Sequence, residues 1–116
     1  MKYLLLLYDD TDAVAALSDD ERRGMVEAHI AFSRTLRDTG AMVMGEPLTG
    51  PEAARTLRFV GAGEPSVTDG PFLETKESLG GFYLIECASP EAALAIARRV
   101  PRSPGLVAEL RPVAEV

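Results

Sequence analysis

Hydrophobic and polar residues alternate in several different rhythms along the chain, and each rhythm predicts an element. Lys2 to Tyr8 is leucine and tyrosine with almost nothing polar, the pattern of a central strand covered on both faces, and it ends at Asp9-Asp10. After a loop, Ser18-Asp19-Asp20-Glu21 has the form of a capping box, in which the serine hydroxyl accepts from a free backbone N–H and the glutamate reaches back. A helix is predicted from there to about Thr39, where Gly40 supplies the left-handed stop that helix ends favour. Met25, His29, Phe32 and Leu36 follow the i, i+4, i+7, i+11 spacing of one helical face, with Glu27, Arg34 and Asp38 on the other.

Further on, Ala41 to Met44 reads as a strand leading to Gly45-Glu46-Pro47, and Arg55 to Val60 as another that ends at Gly61-Ala62-Gly63. Ser66-Val67-Thr68 returns as its hairpin partner. Gly81 to Cys87 carries Phe82, Tyr83, Leu84 and Ile85, residues with high strand propensity. Ser89-Pro90-Glu91 caps a second helix with proline at its first position. Ala93, Ile96, Ala97 and Val100 form its apolar side, Arg98 and Arg99 suit its C-terminal dipole, and Pro101 stops it. Gly105 to Val113 alternates as a terminal strand.

The order strand, helix, strand, hairpin, strand, helix, strand predicts an α+β sandwich, an antiparallel sheet with two helices on one face. Apolar first and fourth strands then leave side chains on the helix-free face, and a chain of 116 residues has nothing left to cover them. A second copy does so in the expected two-fold homodimer.

Composition narrows the classes. The length fits a single domain, residues 1–116, with no linker or repeat. A net charge of -6 and no basic stripe count against nucleic acid as a partner. The apolar run at Met1 to Leu7 is too short to span a bilayer, and the acidic segment after it is unlike a signal-peptide cleavage site, so the expectation is a cytoplasmic protein with no membrane partner. The one cysteine, Cys87, reads as a buried small hydrophobe, and one histidine with one cysteine cannot build a zinc-type site, so no metal is expected.

Two places carry candidate chemistry. His29, the sole histidine, sits in the middle of the inward stripe of the first long helix, where a core histidine satisfied by one hydrogen bond is the plain alternative to a functional one. Asp69-Gly70-Pro71 is a stiffened turn, since glycine allows unusual backbone angles while proline fixes its own φ and restricts its neighbour. An ordinary surface turn is the alternative there. Asp69 is the expected partner of His29, orienting the imidazole and stabilising its charged form. Glu74, Lys76 and Glu77 are charges that contact a polar ligand, a second subunit or only solvent. Tyr8 and Tyr83 are candidates to lend hydroxyls to a cleft, against the plainer reading of packed strand tyrosines. No Gly-x-Ser-x-Gly elbow occurs, and Gly61-Ala62-Gly63 lacks the lysine and Ser/Thr pair of a phosphate loop.

At Asp69-Gly70-Pro71-Phe72-Leu73-Glu74-Thr75-Lys76-Glu77 with Gly80-Gly81-Phe82-Tyr83, the chain resembles the DGPF-type proteins of the YCII-related family. The likeness extends to Met1-Lys2-Tyr3-Leu4-Leu5-Leu6, to Gly45-Glu46-Pro47-Leu48 and to Leu110-Arg111-Pro112-Val113, and so covers nearly the whole chain. It implies a ferredoxin-like βαββαβ fold whose subunits pair as a dimeric α/β barrel. It also implies a histidine–aspartate dyad, which falls on His29 and Asp69. The family's association with genes for alternative sigma factors implies a signalling partner without naming a ligand.

The resulting expectation is a small-molecule site with His29 and Asp69 as catalytic pair, acting as acid and base without metal or organic cofactor. Tyr8, Gly70, Glu74, Lys76 and Tyr83 are its candidate ligand-binding residues. The alternatives are a non-catalytic ligand-sensing or regulatory module in a sigma-factor pathway, and a structural role in which both residues only hold helix to sheet.

Overall fold

The computed structural model describes residues 1–116. Its elements follow in the order β1 (Lys2–Asp10), α1 (Thr11–Ala15), α2 (Asp19–Asp38), β2 (Met42–Pro47), β3 (Arg55–Arg58), β4 (Ser66–Asp69), β5 (Glu77–Glu86), α3 (Pro90–Ala97) and β6 (Val107–Pro112). Strands β2, β5, β1 and β6 lie side by side in that order in one antiparallel sheet, and β3 pairs with β4 in a separate hairpin. With the hairpin set aside, β1-α2-β2-β5-α3-β6 is a ferredoxin-like α+β arrangement, as predicted.

The local chemistry that sets the helices is the chemistry read from the chain. Ser18 Oγ accepts from the Glu21 N–H at 3.1 Å and the Glu21 carboxylate accepts from the Ser18 N–H at 2.9 Å, so α2 starts on a complete capping box. Gly40, at φ 79°, turns the chain out of the helix. Ser89 Oγ accepts from the Ala92 N–H, and Pro90 takes the first position of α3.

Several boundaries differ from expectation. The segment expected as a loop after Asp10 forms α1, capped by the Asp10 carboxylate on the Ala13 N–H. Strand β1 runs on to Asp10, and β2 reaches Pro47 instead of ending at Met44. Hairpin strand β3 stops at Arg58, short of Val60. Strand β5 begins at Glu77 and not at Gly81, because its pairing with β1 continues through the double glycine. It does so with one slip: Leu7 pairs with Gly81 but Tyr8 with Leu79, leaving Gly80 as the extra residue of a β-bulge.

Tyr3, Leu5 and Leu7 of β1 and Tyr83 and Ile85 of β5 share one core with Phe32 and Leu36 of α2 and Ala93 and Ile96 of α3. Both long helices therefore cover the same face of the sheet. Cys87 is only partly buried, packed against the edge of this core. On the other face Leu4 opposes Leu84 and Leu6 opposes Phe82, all half-buried, with Met44 beside Leu84 at 46% exposure. Strand β1 is thus covered on one face only, which corrects the expectation from its composition.

The chain is a slab of 46 × 44 × 18 Å. Its accessible surface is 8132 Å², against about 6,100 Å² for a compact monomer of this mass. Its radius of gyration is 16.2 Å, against about 13.4 Å for a domain of this length. The surplus is apolar in two places, the helix-free sheet face and the hairpin with its following turn, where Leu57, Phe59, Val67, Phe72 and Leu73 are exposed.

Candidate functional site

Half-way along α2, the stripe that buries Phe32 and Leu36 brings His29 over β5. Its Nδ1 lies 2.7 Å from the Tyr83 hydroxyl. The two rings stack with centroids 6.0 Å apart and planes 16° from parallel, while Phe32 meets Tyr83 edge-on at 5.2 Å. Tyr83 is fixed from below as well, because a Cβ on Gly45 of β2 would fall 2.7 Å from the tyrosine Cδ1. Only glycine leaves the ring its place.

Burial pushes the His29 pKa below its usual value, so the imidazole is neutral near pH 7. Burial pushes the Tyr83 phenol upward, opposed by the Ser33 hydroxyl and the Arg37 guanidinium, and the phenol keeps its proton. The second imidazole nitrogen, Nε2, has no partner in the protein and is not sealed from solvent. His29 lines a cavity of about 800 Å³ between α2, the sheet and the Leu48–Glu52 segment. Asp9 lines the same cavity, its pKa raised by burial and by the neighbouring Asp10, with Ser103 acting in the opposite direction.

The expected Asp69 lies elsewhere. It ends β4, its side chain is 93% exposed, and its nearest charged partner is Arg55 of β3 at 3.8 Å. No hydrogen bond or ion pair joins it to His29, and it lines neither this cavity nor the next. Gly70 does the work of the turn: at φ 98° it closes the hairpin base, with its N–H on the Ala54 carbonyl at 2.7 Å and its own carbonyl accepting from Thr56 Oγ1 at 2.9 Å.

Tyr8, Glu74 and Lys76 are brought together in a second cavity, of about 1160 Å³, between the hairpin and the main sheet. Lys76 is paired there with Asp10 at 3.3 Å. Hydrogen bonds from the Ala13 backbone and the Lys76 ammonium hold the Asp10 carboxyl below its ordinary range. The two cavities share Thr11, the Leu48–Glu52 segment and Ser78-Leu79 as a common wall. The ligand-binding candidates are therefore split: Tyr83 sits with His29, while Tyr8, Glu74 and Lys76 sit across the wall. The expected partner of His29 was the Asp69 carboxylate; within one chain the group bonded to the imidazole is the Tyr83 phenol, and Asp69 stands beside Arg55. Ser33 and Arg37 were also passed over, although their places four and eight residues after His29, on the same helical face, were the available signal.

Against known proteins, a family model described as the YCII-related domain matches residues 1–116. An uncharacterised protein of Rhizobium meliloti is 43% identical over 98 residues, which covers 84% of this chain and 78% of that relative. With a match along its whole length, and the helix, strand and glycine positions just described all inside it, this chain belongs to the YCII-related family.

Proposed function

We propose that the chain is a small-molecule acid–base protein with His29 as proton carrier and Tyr83 as the group that holds it, working as a homodimer. The observation that carries the reading is the 2.7 Å bond at Nδ1 together with an unpartnered Nε2 on a residue that lines a cavity. A phenol can donate or accept. When the imidazole proton is on Nδ1 it is given to the Tyr83 oxygen, and Nε2 offers a lone pair as base; when it is on Nε2, Tyr83 donates to Nδ1 and Nε2–H serves as acid. The two states are tautomers: Nε2 takes up a proton to give the imidazolium, Nδ1 then releases its own to water, and the Tyr83 hydroxyl turns to donate to the bare Nδ1. The lowered pKa favours the base form at neutral pH.

The homodimer reading rests on the helix-free sheet face. The whole chain's surplus of roughly 2,000 Å², shared between that face and the hairpin, leaves room for the roughly 800 Å² per partner that a standard interface removes. The dyad with Asp69 is supported less than the pair with Tyr83. Within one chain Arg55 is the group beside that carboxylate, so Asp69 would have to reach His29 from the hairpin of the second copy.

The test is proton exchange. Small carbonyl acids, amides and ketones are incubated with the protein in D₂O, and deuterium uptake at the carbon beside the carbonyl is followed by NMR, with His29→Gln as blank. Uptake that depends on His29 is the expected result, and Asp69→Asn in the same assay decides whether the carboxylate takes part. Equal uptake with wild type and His29→Gln across the panel removes the catalytic reading and leaves a ligand-binding module at the same cavity.

A further inference from the structure

Among the α2 residues that line the cavity, His29, Ser33 and Arg37 follow one another at intervals of four, while Arg22, nearer the start of the helix, is spent on the Val14 carbonyl at 3.2 Å. Arg37 is exposed at the cavity edge and forms no ion pair within the chain. It is nevertheless close enough to Tyr83 to act on the phenol through its charge. The free guanidinium thus stands on the same side as the His29–Tyr83 pair. Beside it the same helix leaves Val26 and Ile30 uncovered, 54% and 51% exposed, as an aliphatic wall of that cavity.

Acidic groups also line the space, and their placement decides whether an anion is tolerated. Asp9 lines the far side of the space from α2, on β1, where burial raises its pKa and the Ser103 hydroxyl is its hydrogen-bonding neighbour. Glu46 alternates with Gly45, which faces Tyr83, so its side chain belongs to the opposite face of the sheet, where it pairs with Phe82. Glu52 is folded back onto Gly50, whose Cβ would meet its carboxylate oxygens at 2.4 and 2.5 Å. None of them answers Arg37. An arginine without a counter-ion, next to polar hydroxyls and an open aliphatic surface, fits a ligand with a negative head and an apolar body.

We propose that the cavity between α2 and the sheet takes an organic carboxylate, its head on Arg37 and Ser33, its hydrocarbon part on Val26 and Ile30, and its reactive region beside His29. This rests on the reading of the cavity as the small-molecule site. It adds the charge and shape of the occupant.

The experiment uses matched neutral and anionic probes on the full chain. Hexanoate and hexanamide, then benzoate and benzamide, are titrated into isotope-labelled protein while the His29 ring and Arg37 side-chain signals are followed. Each acid is expected to shift both sets of signals saturably and to bind about tenfold or more tighter than its amide. Arg37→Gln removes that preference, and Arg37→Lys restores part of it; both variants fold, since Arg37 is a surface residue of the helix. Equal binding of acid and amide, or a preference that persists in Arg37→Gln, overturns the carboxylate assignment and leaves the cavity as a site. A His29 that responds to none of the four compounds overturns the assignment and the cavity reading together.

Discussion

His29 Nδ1 and the Tyr83 hydroxyl, 54 residues apart in the chain, stand 2.7 Å from each other across the junction of α2 and β5. Tyr83→Phe keeps the ring, its stacking on His29 and its edge contact with Phe32, and removes only the hydroxyl. The variant is expected to lose about 0.5–1.5 kcal/mol of stability, the usual net worth of one such bond. Urea unfolding of the two proteins measures it. A larger benefit of the hydroxyl would appear in function: His29-dependent proton exchange should fall more than the stability does.

The pKa of His29 fixes a pH dependence. Burial holds it below 6.5 in the folded chain, while the unfolded chain titrates near 6.5. Between those two values the unfolded state binds more protons, so stability is complete above the unfolded value, declines as the pH falls toward the folded one, and levels below it. His29→Gln should lack this step. Unfolding midpoints of both proteins between about pH 7.5 and 5.5 give the difference, which separates the imidazole from the carboxylates that titrate lower.

Two glycines should respond oppositely to alanine. Gly45→Ala places a methyl 2.7 Å from Tyr83 Cδ1 and 3.0 Å from the Phe82 carbonyl oxygen, so the ring must move away from His29. The expected cost is about 1–3 kcal/mol, with a changed His29 titration. Gly24→Ala, on the exposed side of α2 with nothing within 4 Å, should instead stabilise by about 0.5–1 kcal/mol. Thermal unfolding of the pair, with the wild type as reference, reads both signs at once.

The helix-free sheet face predicts an assembly. Wild type should sediment as a dimer, and Leu84→Glu, a change on the half-buried open face opposite Leu4, should shift it toward monomer while circular dichroism stays the same. A monomeric wild type at tens of micromolar would remove the proposed homodimer.

Much of this architecture could be read from the chain because its signals are local. Ser18 with Glu21, Ser89 with Pro90, and Gly40 mark helix ends whatever surrounds them, and the alternation around Phe82 to Ile85 marks a strand by itself. What was not legible was set by pairing at a distance. Strand β5 extends back to Glu77 only because β1 lies beside it, and a double glycine carries no propensity for that. The same holds at the site: His29 was recognisable as an inward histidine, but its phenolic partner depends on the register of β5 under α2. Asp69 drew notice from a stiff turn, and that turn is explained by closing the hairpin through Gly70.

The unmatched residue in β5 has a further consequence. Below Gly80 the inside and outside of the strand exchange places: Ser78 comes opposite Asp9 and toward the cavity wall, whereas an unbroken two-residue alternation from Tyr83 would have turned it outward. The hydroxyl that meets Thr11 at 2.7 Å is thus delivered by a count of residues and not by their kinds. Were Gly80 instead paired with Tyr8 in an unbroken ladder, Leu79 would come opposite Asp9 where Ser78 now stands, and a wet lining would become a greasy one with no side chain altered.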